Sequence, residues 1–417
     1  MDYLQLAEKN RILMLEYRTY LHENPELSGE EFHTIQFICE KLGEFGISYT
    51  EVKDGGVLGF IDGRETGKRI LLRADCDALP MEESATNELR EKSCVSKNPE
   101  AAHTCGHDFH TASLLVAAKT LAEHRNEWRG SVLLYFERSE EKSGIFQYNL
   151  LKYIEKEHLK IDACFAFHVN VGQAGLATVI EGASHAGALS FQYTIKGRGG
   201  HGARPYMANN PIACFQTIAG EIDRLRMNRI DPHMPVTLTI CNVHSGQAAN
   251  VIPDQLNFGG NGRYFNREKA GIPIKEALDQ IVRGQGEAHG CKVTGGVSTL
   301  GIPNINSPEC ARFAYELLKE KFGADYVVKG EPSMGSETFA YLSALYPSFL
   351  LFFGVVNEEK GISHGIHHPK FDIDEEKAHL ATAYTLAYAV EFLNGDVEFS
   401  RAGCLDSVEG LREIFDT

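Results

Sequence analysis

The sequence lacks any apolar run long enough to cross a bilayer, and it lacks paired cysteine motifs. No run approaches the roughly 18 to 20 apolar residues that a transmembrane helix requires. The first residues, Met1 to Gln5, have neither the charged nor the apolar region of a secretory signal. The ten cysteines are scattered without a Cys-x-x-Cys pair, which is typical of reduced thiols. These absences predict a cytoplasmic protein with no membrane partner.

Positive charge is also in short supply. The 57 acidic residues outnumber the 41 Lys and Arg residues, and the formal net charge is -16. A field of this sign repels polyanions, so nucleic acid and anionic lipid are excluded as expected partners. The alternative is that a net charge of this size only keeps the protein soluble, so it identifies no partner by itself. Charge alone therefore does not distinguish a small-molecule substrate from other partners.

Short apolar runs that end in polar clusters are the main pattern in the first half of the chain. The runs cover residues 70–72, 132–136 and 163–167, and Asp, Glu or His follows each of them. Such runs are typical of strands buried on both faces of a parallel sheet, whose functional groups lie beyond the carboxyl ends. Before them, helical spacing predicts one amphipathic helix from Leu4 to Leu21.

The hydrophobic pattern changes near residue 185. Alternation over 189–195 and 236–240 predicts strands with one wet face, and 211–226 between them reads as a helix. Because 417 residues exceed what one hydrophobic core usually serves, two domains are expected. The predicted domains are a catalytic domain formed by 1–184 with 302–417, and a small antiparallel α+β insert formed by 185–301.

The segment from His103 to His110 has the highest density of reactive side chains. Three imidazoles, a thiol and a carboxylate within eight residues are suitable ligands for a divalent transition ion. Because Gly106 has no side chain, the backbone can turn so that Cys105 and His107 face the same ion. The alternative is a polar helix start, with Asp108 near the positive end of the following helix.

The Glu140-Glu141 pair follows an apolar strand and strengthens the metal interpretation. Adjacent carboxylates repel each other unless cations or protons compensate. In a metal site one carboxylate coordinates the ion while its neighbour accepts a proton from water; a solvated turn is the alternative. His168 also ends an apolar strand, and the remaining candidate ligands are His364, His367 and His368.

Together these segments resemble the M20 metallopeptidase family, in particular its amidohydrolase branch of aminoacylases, hippurate hydrolases and IAA–amino acid (auxin conjugate) hydrolases. The resemblance runs nearly end to end and rests on eight motifs in the family's order. The motifs are Leu21–Ser28, Arg73–Pro80, Cys105–Asp108, Glu140–Glu141, Gly197–His201, Asn250–Pro253, Gly335–Glu337 and His367–Phe371.

The resemblance implies an α/β fold: a zinc-exopeptidase-like catalytic domain with a mostly parallel central sheet and an inserted ferredoxin-like dimerisation (lid) domain. It also implies two divalent metal ions per chain, zinc or manganese. The implied ligands are Cys105, His107, Glu141, His168 and His367. Glu140 is the implied base for the water that the ions share, and Asp77 is the implied carboxylate that orients a ligand.

The insert carries the other residues that the resemblance implies. His201 stabilises the oxyanion and commonly reaches the partner subunit's site, so a homodimer or tetramer is expected. Asn250 and Arg263 lie where relatives contact the substrate. For Arg263, an exposed cation on a strand without a role in binding is an equally good interpretation. The implied reaction is metal-dependent hydrolysis of an amide bond in N-acyl amino acids or related amide and peptide conjugates.

Departures from the family pattern flank the implied site. Glu137-Arg138-Ser139 replaces the usual Gln-Pro-Ala, Asp108-Phe109-His110 replaces Asp-Gly-His, and Glu337-Thr338-Phe339 replaces Glu-Asp-Phe. The segment before Cys105 also differs. All implied ligands are present, so these changes affect substrate choice. The alternatives are a dipeptidase or carboxypeptidase of the same superfamily, and a non-catalytic metal-dependent sensor of acylated amino acids.

Overall fold

A computed structural model describes residues 1–142 and 144–415 of the chain. Its α-helices are α1 Tyr3–Lys9, α2 Arg11–Glu23, α3 Phe32–Glu44, α4 His107–Glu123, α5 Ile145–Lys156, α6 Pro211–Arg229, α7 Ile272–Ala288, α8 Pro308–Phe322, α9 Phe339–Leu345, α10 His379–Asn394 and α11 Val408–Phe415. Its strands are β1 Ser48–Val52, β2 Gly56–Asp62, β3 Arg69–Asp75, β4 Ser131–Glu137, β5 Ala163–Gln173, β6 Ala177–Val179, β7 Gly182–His185, β8 Gly187–Lys196, β9 Gly200–His201, β10 Val236–Ser245, β11 Val251–Ile252, β12 Gln255–Tyr264, β13 Lys292–Leu300, β14 Asn304–Asn306, β15 Val327–Lys329 and β16 Ser348–Val356. Among the described residues, no helix combines the length and the apolarity needed to cross a membrane.

Backbone proximity divides the chain into two compact units. The first unit comprises Met1–Gly182, Ile305–Glu331 and Tyr341–Val408. The second comprises Ala183–Asn304, Pro332–Ala340 and Glu409–Thr417. Each unit has its own cluster of buried apolar side chains.

A mixed eight-stranded sheet forms the centre of the first unit, in the order β1-β2-β4-β3-β5-β16-β6-β15. Strands β3, β4, β5 and β16 run parallel to their neighbours through the middle, and β15 is parallel to β6. Antiparallel pairs occur towards the edges, at β1-β2, β2-β4 and β6-β16. The predicted α/β class with a mostly parallel central sheet is therefore confirmed.

The central strands are apolar because both of their faces are covered. Nearly every residue of β3, β4 and β16 is buried, as the continuous apolar runs predict. Helices α4 and α10 are buried along almost their whole length and pack against each other. This packing fixes the amino-terminal end of α4 against the sheet, which is where His107 lies.

The single helix predicted for Leu4 to Leu21 is wrong, because the chain breaks into α1 and α2 at Asn10. The Asn10 side chain donates a hydrogen bond to the Leu6 carbonyl at 3.0 Å. Short amide side chains compete in this way with the helical hydrogen bonds of the backbone. Residues further along retain helical spacing, which is why the pattern reads as one helix.

The second unit contains a four-stranded antiparallel sheet in the order β10-β12-β8-β13. With α6 after β8 and α7 after β12, the chain order is βαββαβ, which is the ferredoxin-like arrangement. Alternate residues of β8 are buried, starting from Gly187, in agreement with the predicted strand with one wet face. The expected ferredoxin-like domain is thus present in the fold.

Candidate metal centre

The first unit gathers the predicted ligands at the carboxyl ends of its central strands. Asp77 follows β3, Glu140 and Glu141 follow β4 after a short turn, and His168 lies in β5. Because these strands are parallel, their carboxyl ends meet at one edge of the sheet. The separate polar clusters of the sequence therefore become one site.

Gly106 determines how the thiol and imidazole enter this site. It precedes α4 with φ +84°, in the left-handed region that favours glycine. A Cβ atom at this position would lie 2.7 Å from Val169 Cγ2. Only glycine therefore fits the turn that places the buried side chains of Cys105 and His107 on the same side.

The five predicted ligands lie close together. His367 Nε2 is 3.3 Å from Cys105 Sγ and 3.2 Å from Glu141 Oε1. Cys105 Sγ is 3.6 Å from His168 Nε2, and His107 Nε2 is 3.9 Å from Glu141 Oε1. A thiol, three imidazoles and a carboxylate thus converge at distances that ions bound between them would bridge.

Two overlapping groups of ligand atoms can be separated within this cluster. Cys105, Glu141 and His367 each offer an atom within 4.8 Å of the others, and so do His107, Glu140 and Glu141. Glu141 belongs to both groups, so the cluster has room for two adjacent ions that share this carboxylate.

The imidazoles are oriented so that one nitrogen of each is directed to the cluster. His168 Nδ1 donates to the Val169 carbonyl at 2.8 Å, and His107 Nδ1 lies 3.0 Å from Asp77 Oδ1. These bonds leave Nε2 as the ligand atom of both rings. His107 Nε2 and Glu141 Oε1 are buried, and their neighbours are other predicted ligands: His367 Nε2 lies 3.2 Å from Glu141 Oε1, which lies 3.9 Å from His107 Nε2. Since such atoms are costly to bury alone, a bound cation fits this donor set.

Asp77 connects the two sides of the site. Its Oδ1 faces His107, while its Oδ2 accepts hydrogen bonds from the Ser28 hydroxyl at 2.6 Å and from the Glu141 backbone N–H at 3.0 Å. Burial opposes the charge of this carboxylate, but the bonds to His107, Ser28 and Glu141 hold its pKa below the usual value. Asp77 therefore stays ionised and contacts one predicted ligand on each side.

The protonation of the ligands reflects their burial and mutual charges. Burial raises the pKa of the Cys105 thiol well above its ordinary value, and Glu141 and Glu140 add to the increase. Burial disfavours the charged His107 ring, but the charge of Asp75 and the hydrogen bond to Asp77 raise its pKa well above the ordinary value. An ion bound by Cys105 and His107 would therefore have to displace protons.

A further group of potential ligands, Asp75 with His107, His110 and His168, is arranged differently. Asp75 Oδ2 lies 2.7 Å from Arg73 Nη1, and Asp75 Oδ1 lies 2.6 Å from His110 Nδ1. His110 Nε2 accepts the Val169 N–H at 3.1 Å, and burial lowers the pKa of His110 to about 4. Asp75 and His110 are thus committed to each other and to their neighbours.

The neighbouring C-terminal histidines point elsewhere. His364 and His368 stack with their ring centroids 4.0 Å apart, and His364 Nε2 lies 2.9 Å from Glu88 Oε2. His367 has φ +62°, and its N–H donates to the Thr104 carbonyl at 2.8 Å. This conformation turns His367 alone of the three towards Cys105.

The remaining predicted site residues belong to the second unit. His201 is exposed in β9, pairs with Val251 of β11, and accepts the Ala203 N–H at Nδ1 over 3.0 Å. Asn250 immediately precedes β11, so it lies near His201, and its carbonyl accepts the Gly202 N–H. Arg263 is half-buried on β12 and donates to the Gly262 carbonyl at 3.2 Å. Their roles toward a substrate stay predictions.

Three residues without a predicted role contact the site or the turn beside it. Ser28 donates to Asp77, and Glu31 accepts hydrogen bonds from Arg138 and from the Ser139 backbone. Ser28 is the last residue of the motif Leu21–Ser28, and Arg138 lies in a segment that departs from the family pattern. Both positions could therefore have been singled out from the sequence. No such signal marked Glu31.

Comparison with known proteins agrees with this geometry. The model of peptidase family M20/M25/M40 matches residues 71–391. IAA-amino acid hydrolase ILR1-like 4 of Arabidopsis thaliana is 32% identical over 94% of this chain and 90% of its own length. N-acetylcysteine deacetylase of Bacillus subtilis is 32% identical over 90% of this chain and 96% of its own length. The crystal structure of the Bacillus subtilis YxeP protein, a dinuclear metal binding peptidase from the M20 family, is 30% identical and superposes with a TM-score of 0.76, covering 93% of this chain and 99% of that one.

Proposed function

Because the chain belongs to peptidase family M20/M25/M40 and is a metal-dependent hydrolase of amide bonds, we propose that its substrates are N-acyl amino acids or related amide conjugates. Two relatives are named for conjugates of this kind, an IAA-amino acid hydrolase and an N-acetylcysteine deacetylase. The acyl group and the amino acid are for the experiment below to identify.

The observation that carries the proposal is the pair of ligand groups that share Glu141. We propose that two divalent ions are held by Cys105, His107, Glu141, His168 and His367. Zinc suits the thiolate of Cys105, and manganese suits the carboxylate and imidazole ligands. When bound, the ions polarise the amide carbonyl and lower the pKa of a water molecule.

The protein's own groups supply the proton transfer and the geometry. Glu140 lies within 4.8 Å of ligand atoms of His107 and Glu141, close enough to accept a proton from the attacking water. It then delivers this proton to the leaving nitrogen, as a general base that becomes a general acid. Asp77 keeps His107 and Glu141 in place throughout.

We propose that His201 stabilises the developing charge on the carbonyl oxygen. Its Nδ1 accepts a hydrogen bond, so the proton is on Nε2, where an exposed N–H can donate to an oxyanion. Asn250 and Arg263 are proposed substrate contacts, the guanidinium of Arg263 being suited to a carboxylate. The insert 185–301 would then be the dimerisation or lid domain, and 1–184 with 302–417 the catalytic domain.

We propose a homodimer, or a tetramer built from it, formed through the second unit. Strand β10 is at the edge of its sheet and exposes residues 241–245. Its ten residues include no Lys, Arg, Asp, Glu or Pro, the residues that usually protect an edge strand from pairing. Such an edge is suited to pairing with a second copy of the chain.

We place the protein in the cytoplasm. All ten cysteines are free thiols, which suits a reducing compartment. The finding that no described helix can cross a membrane agrees with this placement.

The test combines metal analysis with a substrate panel. The metal content of the purified protein is measured, and amine release from N-acetyl, N-benzoyl and dipeptide substrates is followed before and after chelation. We expect close to two ions per chain and chelator-sensitive cleavage of N-acyl amino acids. Preference for dipeptides would instead support a dipeptidase or carboxypeptidase.

The variant Glu140→Ala separates catalysis from metal binding. We expect turnover to fall by about 10²- to 10⁴-fold, the usual contribution of a general base, with the metal content unchanged. Metal binding without turnover in the wild-type protein would support the sensor of acylated amino acids. Unchanged turnover in Glu140→Ala would refute the role of this residue as the base.

A further inference from the structure

The turn between β4 and the two glutamates consists of Arg138 and Ser139. It contains no proline, so no ring restricts its backbone. Ser139 nevertheless has φ +60°, a left-handed conformation that is unfavourable for a residue with a side chain. The surrounding structure must hold this conformation in place.

Glu31 supplies the main contacts to the turn from a different part of the chain. It lies just before α3 and is 0% exposed. Its Oε1 accepts the Ser139 backbone N–H at 2.7 Å, and its Oε2 accepts the Arg138 Nε at 2.8 Å. One carboxylate therefore holds both the backbone and the side chain of the turn.

Arg138 is itself fixed on several sides. Its Nη2 donates to the Gly29 carbonyl at 2.7 Å. The guanidinium lies 5.0 Å from the ring centroid of Phe32 and 5.0 Å from that of Phe146. A cation held between two aromatic faces and bonded to a buried carboxylate has little freedom to move.

Glu137, the last residue of β4 before the turn, is held by other side chains. Glu137 Oε1 lies 2.5 Å from Arg73 Nη2 and accepts the Gln147 amide at 3.1 Å. Gln147 also donates to the Arg138 carbonyl at 3.1 Å. The last residue of β4 and both residues of the turn are thus bound by charged or amide side chains before the chain reaches Glu140.

From these contacts we propose that Glu31 and Arg138 are positioning residues for Glu140 and Glu141. The two form a clamp, defined as the Glu31 carboxylate with the Arg138 guanidinium and the Ser139 backbone N–H. The clamp does not touch the substrate or the reacting atoms, and it acts by setting the direction in which the chain leaves Ser139. This inference rests on the roles proposed above for the two glutamates.

The clamp predicts a loss in turnover rather than in substrate affinity. Glu31→Ala removes both contacts, and we expect kcat to fall by about 100-fold, the effect of a displacement near 1 Å at a catalytic group, while KM changes by less than about threefold. Because Glu141 is a proposed ligand, chelator competition should also show metal affinity lower by about tenfold. Glu31→Gln and Arg138→Lys keep part of the contacts and should give intermediate losses.

The clamp also predicts that the two residues act as one unit. In a double-mutant cycle, the loss in Glu31→Ala with Arg138→Ala should be clearly smaller than the sum of the two single losses, because both single changes remove the shared Glu31–Arg138 contact. Additive losses would show two independent structural roles and overturn the clamp.

Glu26→Ala is the matched control. The Glu26 carboxylate accepts the N–H groups of His33 at 3.1 Å and Thr34 at 2.8 Å, so it stabilises the start of the same helix α3 without contacting the turn. Its removal should lower the thermal midpoint but leave kcat and metal affinity within about twofold. If Glu26→Ala reduces them as much as Glu31→Ala does, or if Glu31→Ala and Glu31→Gln leave both unchanged, the clamp is refuted.

Failure of the clamp is distinguishable from failure of the proposed function. Substrate cleavage by the wild-type protein and its loss in Glu140→Ala test the function and do not depend on Glu31. If the wild-type protein cleaves nothing in the panel, chelator competition on the Glu31 and Glu26 variants still supports the clamp or refutes it.

Discussion

The two sides of the candidate metal centre are held in different ways. The helix side, Cys105 and His107, is positioned by backbone: Gly106 makes the turn, and α4 is buried between the sheet and other helices. The turn side, Glu140 and Glu141, follows β4 on a more exposed turn. There, side chains from elsewhere in the chain hold the backbone, and Asp77 accepts the Glu141 N–H.

This difference determines how each side can fail. Packing around α4 is cooperative, so an error on the helix side affects the fold and the ligands together. The turn side depends on separate hydrogen bonds to charged groups, each contributing about 1.5 to 3 kcal/mol. It can therefore be weakened step by step while the rest of the domain stays folded.

The largest effect is expected from Gly106→Ala, which breaks the helix side. A side chain at φ +84° costs about 1 to 2 kcal/mol, and the contact with Val169 adds about 1 to 3 kcal/mol. We expect a lower thermal midpoint and metal affinity reduced by at least about 100-fold. Calorimetry and chelator competition on the same sample measure both.

Gly43→Ala is the control for that variant. Gly43 lies in α3, where a Cβ atom would have only an ordinary 4.0 Å contact with Tyr49. Alanine should be neutral or should stabilise the helix by up to about 1 kcal/mol, with metal affinity unchanged. Normal metal affinity in Gly106→Ala would show that the backbone of the helix side is more tolerant than we infer.

The next largest effect is expected from Asp77→Asn, which acts on both sides at once. An amide cannot accept at both of its ends, so one of the contacts to His107 and Glu141 is lost. We expect metal affinity to fall by about 10- to 100-fold. Asp62→Asn, at an exposed position at the end of β2, controls for loss of charge and should bind metal normally.

The pH dependence of metal binding tests the helix side through the protons that Cys105 and His107 carry. Without an ion, burial raises the pKa of Cys105, and the neighbouring charge of Asp75 outweighs burial to raise the pKa of His107. An ion must displace these protons, so affinity should increase with pH and decrease as the pH falls. We expect up to about tenfold per pH unit for each proton released, measured by chelator competition between about pH 6 and about pH 8. Affinity that does not change over this range would mean that the helix side binds metal without losing a proton.

The sequence predicts the fold well wherever burial determines composition. Strands β3, β4 and β5 could be predicted from the length of their apolar runs and from the polar residues that end them. The break at Asn10 was missed because it depends on one side chain competing with the backbone, and hydrophobic spacing does not record that competition.

The same distinction applies to the site. Ligand types that are chemically distinctive, such as Cys105 beside His107, can be identified from the chain alone. Glu31 could not, because an acidic residue before a helix has many ordinary uses, and its role depends on contact with a turn 107 residues away. Supporting contacts of this kind are visible only when the fold brings the segments together.

The smallest effect is expected from Ser28→Ala, which acts on the turn side only indirectly, through Asp77. The Ser28 hydroxyl donates to Asp77 Oδ2 at 2.6 Å, but Asp77 keeps its contacts with His107 and Glu141 when that bond is lost. We expect kcat/KM to fall by about 3- to 10-fold, less than for Asp77→Asn, with the thermal midpoint nearly unchanged. Ser28→Thr retains the hydroxyl and should recover most of the loss.

Combined with Asp77→Asn, Ser28→Ala should add little to the loss in kcat/KM, because the two residues act through one carboxylate. Full additivity would mean that Ser28 supports the site by some other contact, and that the turn side is held more broadly than by Asp77 and the clamp.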